Sequence, residues 1–180
     1  LFATRSLGFL GGSIFAGRSY DRLPGHPLMM GLLLLMGLAL ALVPFISQLW
    51  LLTLVMFIAG FVESGVDIGS NTLLVWRFGE KVGPYMNSLH FFFGLGAFLS
   101  PIIIAQTMLA TEGGIRLAYW VLALMVLPPF LFFWRFPSLP IRHRDTAVHG
   151  HKANVVLILL VAAFLFLYVG AEVAYGGWVY

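Results

Sequence analysis

Six apolar stretches separated by short polar breaks run through the sequence, and they predict helices over 2–20, 28–47, 49–76, 85–110, 116–136 and 154–180. Continuous apolar runs lie at Leu28–Ile46, Trp50–Phe61, Phe91–Leu109, Tyr119–Trp134 and Val155–Ala171. A bilayer core takes about 20 mostly apolar residues per helix, so the spacing fits a polytopic transmembrane bundle. A β-barrel would alternate polar and apolar residues over strands of about ten, and no such alternation is visible. The class expected is all-α.

Composition narrows this further. Only 9% of the 180 residues are charged and 61% are hydrophobic, against about 25% charged in soluble domains. A soluble globular fold is excluded. With no cysteine in the chain, disulfides and thiolate chemistry are excluded too. A net charge of +3 does not mark a nucleic-acid binder. Its placement says more than its size. Arg18, Arg22, Arg77, Lys81, Arg135, Arg142, Arg144 and Lys152 fall on one side of the alternating helices, Arg5 and Arg116 on the other. Positive loops face the cytoplasm, which puts 17–27, 77–84 and 137–153 there, in a plasma (inner) membrane. Trp50, Trp76, Tyr119, Trp120 and Trp134 stand near helix ends, where aromatic belts form. Gly8, Gly12 and Ala16, four residues apart, are expected to pack a neighbouring helix closely. The chain begins at Leu1 and ends in an apolar segment, and it is read as an internal piece of a longer protein.

The third segment carries "GFVESGVDIGSN", with Glu63, Asp67 and Asn71 at steps of four. Such steps advance 40° each, so the three lie within about 80° of arc. A charge at a helix centre costs at least about 2.5–3.5 kcal/mol, and this face is expected to line protein or a hydrated cavity. Glu63 falls about 21 Å along its helix, near mid-membrane. Burial makes an ionised Glu63 costly, and Asp67 adds like-charge pressure. A shared proton or a sodium ion would relieve both, the sodium taking oxygens from Glu63, Asp67, Asn71 and Ser64 or Ser70. In the fourth helix Asn87, His90, Gly94 and Pro101 form a stripe about 60° wide, expected to answer that face. Tyr168, Glu172 and Tyr175 share a face of the last helix ahead of Gly176-Gly177, a place suited to a gate. His143, His149 and His151 lack the carboxylates or cysteines of a metal site. No nucleophile stands beside a positioned base, so no enzyme is expected.

The loop "GRSYDRLPGHP" resembles the signature loop of the major facilitator superfamily between its second and third transmembrane helices. Gly17, Asp21, Arg22 and Gly25 match, while Leu23-Pro24 lengthens the spacer and His26 replaces a basic residue. "VESGVDIGSN", "NSLHFFFGLGAFLSP" and "YVGAEVAYGGWVY" look like the fucose-permease-related branch, most of all its sodium-dependent glucose transporter-like members. The resemblance implies helices 2 to 7 of a twelve-helix transporter. Residues 1–136 would be part of the N-terminal half, 137–153 the central cytoplasmic loop and 154–180 the seventh helix. It also implies an ion-coupled sugar symporter working by alternating access, with Glu63 and Asp67 coupling to sodium or protons. Glu63, Asn71, Asn87 and His90 would bind a hexose, His90 standing where the permease has a glutamine. Glu172, Tyr168 and Tyr175 would gate, and Gly17, Asp21, Arg22 and Gly25 would form the conformational-switch loop. No cofactor or metal is expected beyond the coupling ion; the full-length protein would be a monomer in the bilayer. A non-transporting sensor or scaffold of this fold, or a carrier of a non-sugar solute, are the alternatives.

Overall fold

Glycines and prolines set most of the helix boundaries. A computed structural model describes residues 1–138 and 154–178, with side chains throughout those ranges except at 165 and 172–178. They fall into two units, one within Leu1–His143 and one within Arg144–Tyr180. The first holds α1 (Phe2–Tyr20), α2 (Gly25–Leu42), α3 (Leu49–Phe78), α4 (Gly83–Ala110), α5 (Arg116–Leu124) and α6 (Leu127–Arg135). The second holds α7 (Val155–Trp178), whose first turn is capped where the Asn154 side-chain oxygen accepts the Leu157 N–H at 3.2 Å.

Pro24 precedes α2, and Pro44 ends it by forcing a tighter turn at Val43–Phe45. Gly79, at φ 54°, closes α3 in a conformation that costs other residues more. The single helix expected over 116–136 is instead two. Pro128 and Pro129 supply no N–H to the carbonyls of Leu124 and Met125, and their rings crowd that turn, so the helix breaks at Met125–Val126. Four segments among the described residues are long and apolar enough to cross a membrane: Gly25–Phe45, Leu49–Lys81, Gly83–Ala110 and Arg116–Arg135.

α3 is the centre of the first unit, packed most extensively on α1 and then on α2. Gly8 and Gly12 lie against the backbone of Phe57 and Phe61, while Gly60 lies against the Arg5 carbonyl. A Cβ at any of the three would overlap main chain that cannot give way. Gly8, Gly12 and Tyr20 meet Phe57, Phe61 and Gly69 in that order, so α1 and α3 run parallel. Further along, Gly69 sits under the buried Tyr20 ring, whose hydroxyl reaches the Met29 sulfur at 3.9 Å. Gly65 receives Leu32 of α2. Tyr20, Met29, Leu32, Leu33, Val62 and Leu73 complete the core. Small residues permit this approach in lipid, where apolar side chains gain little by leaving their solvent. α5 and α6 lean on α2, and α4 buries no residue.

Candidate functional site

The polar face of α3 is where the chemistry concentrates. Because Gly60 seats α1 so closely, the Arg5 side chain reaches the next turn of α3 and meets Glu63. Arg5 Nε donates to Oε2 at 3.0 Å, and Nη2 donates to both carboxylate oxygens at 2.7 Å. It is the only ion pair among the described residues. From the sequence, Glu63 is expected to face Asp67 as a like charge, with Arg5 set apart near a helix end. The structure gives Glu63 an opposite charge instead. Its one signal in the sequence is Arg5, set at the opposite end of α1 from Arg18, and 58 positions separate the partners.

One turn on, the exposed Asp67 accepts from Asn71 Nδ2 twice, at its main-chain oxygen (2.9 Å) and at Oδ1 (3.2 Å). The Asn71 amide oxygen and the second Asp67 carboxylate oxygen have no hydrogen-bond partner among the described residues and can accept a cation or hydroxyl. Ser70 Oγ is spent on the Val66 carbonyl at 2.8 Å. Ser64 is fully buried, and its Oγ has no hydrogen-bond partner among the described residues. Ser64 therefore belongs to the packed side of α3, away from the exposed Asp67.

Asn87 and His90 lie on an exposed face of α4. Among the described residues no hydrogen bond or ion pair joins them to Glu63, Asp67 or Asn71, so the expected answering stripe is not assembled in this unit. Gly94 has nothing within 4 Å of where a Cβ would stand. On α7, Tyr168 is exposed and stacks on Phe164, with ring centroids 6.3 Å apart. The side chains of Glu172 and Tyr175 lie outside the described residues, as do His143, His149 and His151. No group of three His, Cys, Asp or Glu among the described residues could hold a metal.

The α1–α2 loop is a short turn: the Ser19 carbonyl accepts the N–H groups of Arg22 (3.1 Å) and Leu23 (2.8 Å). Asp21 and Arg22 are exposed, Gly25 is buried against Leu73, and Gly17 faces open space. His26 takes a structural role. Its N–H donates to Ser138 Oγ at 3.3 Å, and its ring lies 3.2 Å from the Phe136 carbonyl and edge-on to Phe133. A cavity of about 620 Å³ opens there, lined by His26, Ser70, Leu74, Arg77, Phe133 and Phe136 among others. Glu63, Asp67 and Asn71 do not line it.

Comparison with known proteins fits these features. The family model described as Major Facilitator Superfamily matches residues 1–180. Sodium-dependent glucose transporter 1 of Xenopus laevis is 30% identical over 211 aligned residues, covering 100% of this chain and 42% of the relative. The Homo sapiens protein of that name is 30% identical over 224, again 100% and 42%. The Rattus norvegicus one is 41% identical over 104, covering 57% of this chain and 21% of its own length. The chain thus spans less than half the length of these relatives. No solved structure matches. All-α, with four helices of membrane length and a family match from end to end, this multi-pass membrane chain belongs to the Major Facilitator Superfamily.

Proposed function

We propose that this chain is part of an ion-coupled sugar symporter working by alternating access. The observation that carries the reading is the α3 face. Inside a span of membrane length it presents a carboxylate engaged by an arginine, and beside it an exposed Asp67–Asn71 pair. Ionisable residues at such depth are costly and mark solute or ion pathways. The relatives whose names give a sodium-dependent glucose transporter support a hexose substrate and a coupling cation.

Glu63 and Asp67 carry the coupling in this reading, to sodium or to protons. A sodium ion would take oxygens from Glu63 and from the open edges of Asp67 and Asn71. Asn71, Asn87, His90 and Glu63 bind the sugar, the α4 pair acting across a cavity whose other wall is not among the described residues. Tyr168, Glu172 and Tyr175 gate. Gly17, Asp21, Arg22 and Gly25 form the switch loop on the cytoplasmic face of the plasma membrane, and the working protein is a monomer. The test is uptake of labelled glucose and fucose by the full-length protein in proteoliposomes, with sodium and pH gradients imposed separately. Glu63→Gln should abolish gradient-driven accumulation; normal accumulation removes Glu63 from coupling. Absence of flux for any sugar under either gradient favours a sensor or scaffold.

A further inference from the structure

We propose that Arg5 is a tethered competitor for the coupling cation at Glu63. The inference rests on the transport reading above and adds a residue that sets how tightly the cation binds. Three observations carry it. The guanidinium satisfies both oxygens of the Glu63 carboxylate, with contacts of 2.7–3.0 Å, so the pair is neutral and its anionic face is taken. A second cation approaching those oxygens meets a like charge, so it binds Glu63 only as the guanidinium leaves. Next, Arg5 cannot drift away with its helix. Its carbonyl lies against Gly60, one turn from Glu63, and Gly8 and Gly12 pin the same helix further along. The competitor is held at a high, fixed local concentration. Finally, the pair is reachable: the Arg5 and Glu63 side chains are 49% and 35% exposed. A sealed pair would be a structural lock; this one gives an ion access and the displaced guanidinium somewhere to go.

Asp67 lies on the next turn and brings no positive charge, so Arg5 alone among the described residues presents a cation to Glu63. The arrangement predicts weak cation binding that strengthens when Arg5 is neutralised. A weak site releases its ion readily once exposed to the low-cation side, which favours turnover.

The test uses the full-length protein, purified, with thermal unfolding followed across a sodium titration at fixed pH and across a pH titration without sodium. Sugar uptake is measured in parallel. Arg5→Gln should lower the half-saturating concentration of the stabilising cation about two- to fivefold, as expected for losing a competitor bound with the strength of an accessible, well-formed ion pair. Arg5→Lys keeps the charge but loses the two-pronged grip, and should fall between wild type and Arg5→Gln. In a Glu63→Gln background, Arg5→Gln should have no further effect on the cation dependence. Unchanged half-saturation in a folded Arg5→Gln, or the same tightening with and without Glu63, overturns the proposal. Should Arg5→Gln fail to fold, unchanged half-saturation in Arg5→Lys overturns it. Should neither wild type nor variant respond to either cation, it is likewise overturned. A cation response that tightens in Arg5→Gln without flux from any variant would sink the transport reading and leave the competitor standing.

Discussion

α3 and α4 are near twins in sequence character and opposites in environment. One has 30 residues and the other 28; both are apolar, both carry glycines and both carry a polar stripe. Yet α3 buries Val55, Gly60, Val62, Ser64, Gly65, Gly69 and Leu73, and α4 buries nothing. Apolarity cannot be the cause, since both helices share it. The difference is reciprocity. Gly60 faces the Arg5 backbone while Gly8 and Gly12 face the α3 backbone, so each helix offers the other a flat patch where it is needed. Gly94 and Gly96 offer such a patch, and nothing stands within 4 Å of it. A small-residue stripe in a membrane helix is half an interface; its meaning depends on the surface opposite.

The largest effect should come from breaking that reciprocity. Gly12→Leu drives a side chain into the Phe61 backbone and should cost about 1–3 kcal/mol or more, read as a lower unfolding midpoint and loss of monodisperse protein. Gly94→Leu in the same 180-residue chain should stay within about 0.5 kcal/mol of wild type. An equal loss in both would erase the distinction between the helices. Next comes the ion pair. A thermal double-mutant cycle of Arg5→Gln and Glu63→Gln should give a coupling of about 0.2–1 kcal/mol, the range for accessible pairs. Zero coupling would mean that the pair adds nothing to the hold of α1 on α3. Of comparable size, Asn71→Ala loses its bonds to Asp67 and should cost about 0.5–1.5 kcal/mol. Asn87→Ala, with no partner on α4 among the described residues, should be near neutral, while lowering sugar affinity if it binds substrate. The one change expected to raise stability, if it moves it at all, is Gly17→Ala, which meets no atom within 4 Å among the described residues and should be neutral or stabilising by up to about 1 kcal/mol. A slower transport rate in that variant, at unchanged stability, would separate a switching role from a packing one.

Where elements lie was legible because hydropathy and breakers are local. The expectations 2–20, 49–76 and 85–110 meet Phe2–Tyr20, Leu49–Phe78 and Gly83–Ala110. The packing stripe Gly8, Gly12, Ala16 is buried as its spacing suggests. The split at Met125–Val126 was written in Pro128-Pro129, but the unbroken apolar run over 119–134 outweighed it. What lies opposite a residue was not legible. Gly60 opens the stretch that carries the polar stripe, yet it faces α1 as a packing residue. Ser64 was offered as a cation ligand, and its hydroxyl is sealed in the core. Arg5 was read by its depth alone, because only the parallel α1–α3 packing brings it onto Glu63.

That packing bears on how the molecule can move. A contact made by glycine against main chain freezes no side-chain rotamers, so it forms without the entropy that a leucine seam would surrender. It also has no rotamers to change. Interlocked side chains can be re-dealt to let one helix slip past another by a turn; flat backbone surfaces around Gly8, Gly12 and Gly60 offer no second set of holes to fill. α1 and α3 are therefore a single moving part, welded along their length, and any motion of one carries the loop after Tyr20 and the carboxylate at Glu63 through the same arc.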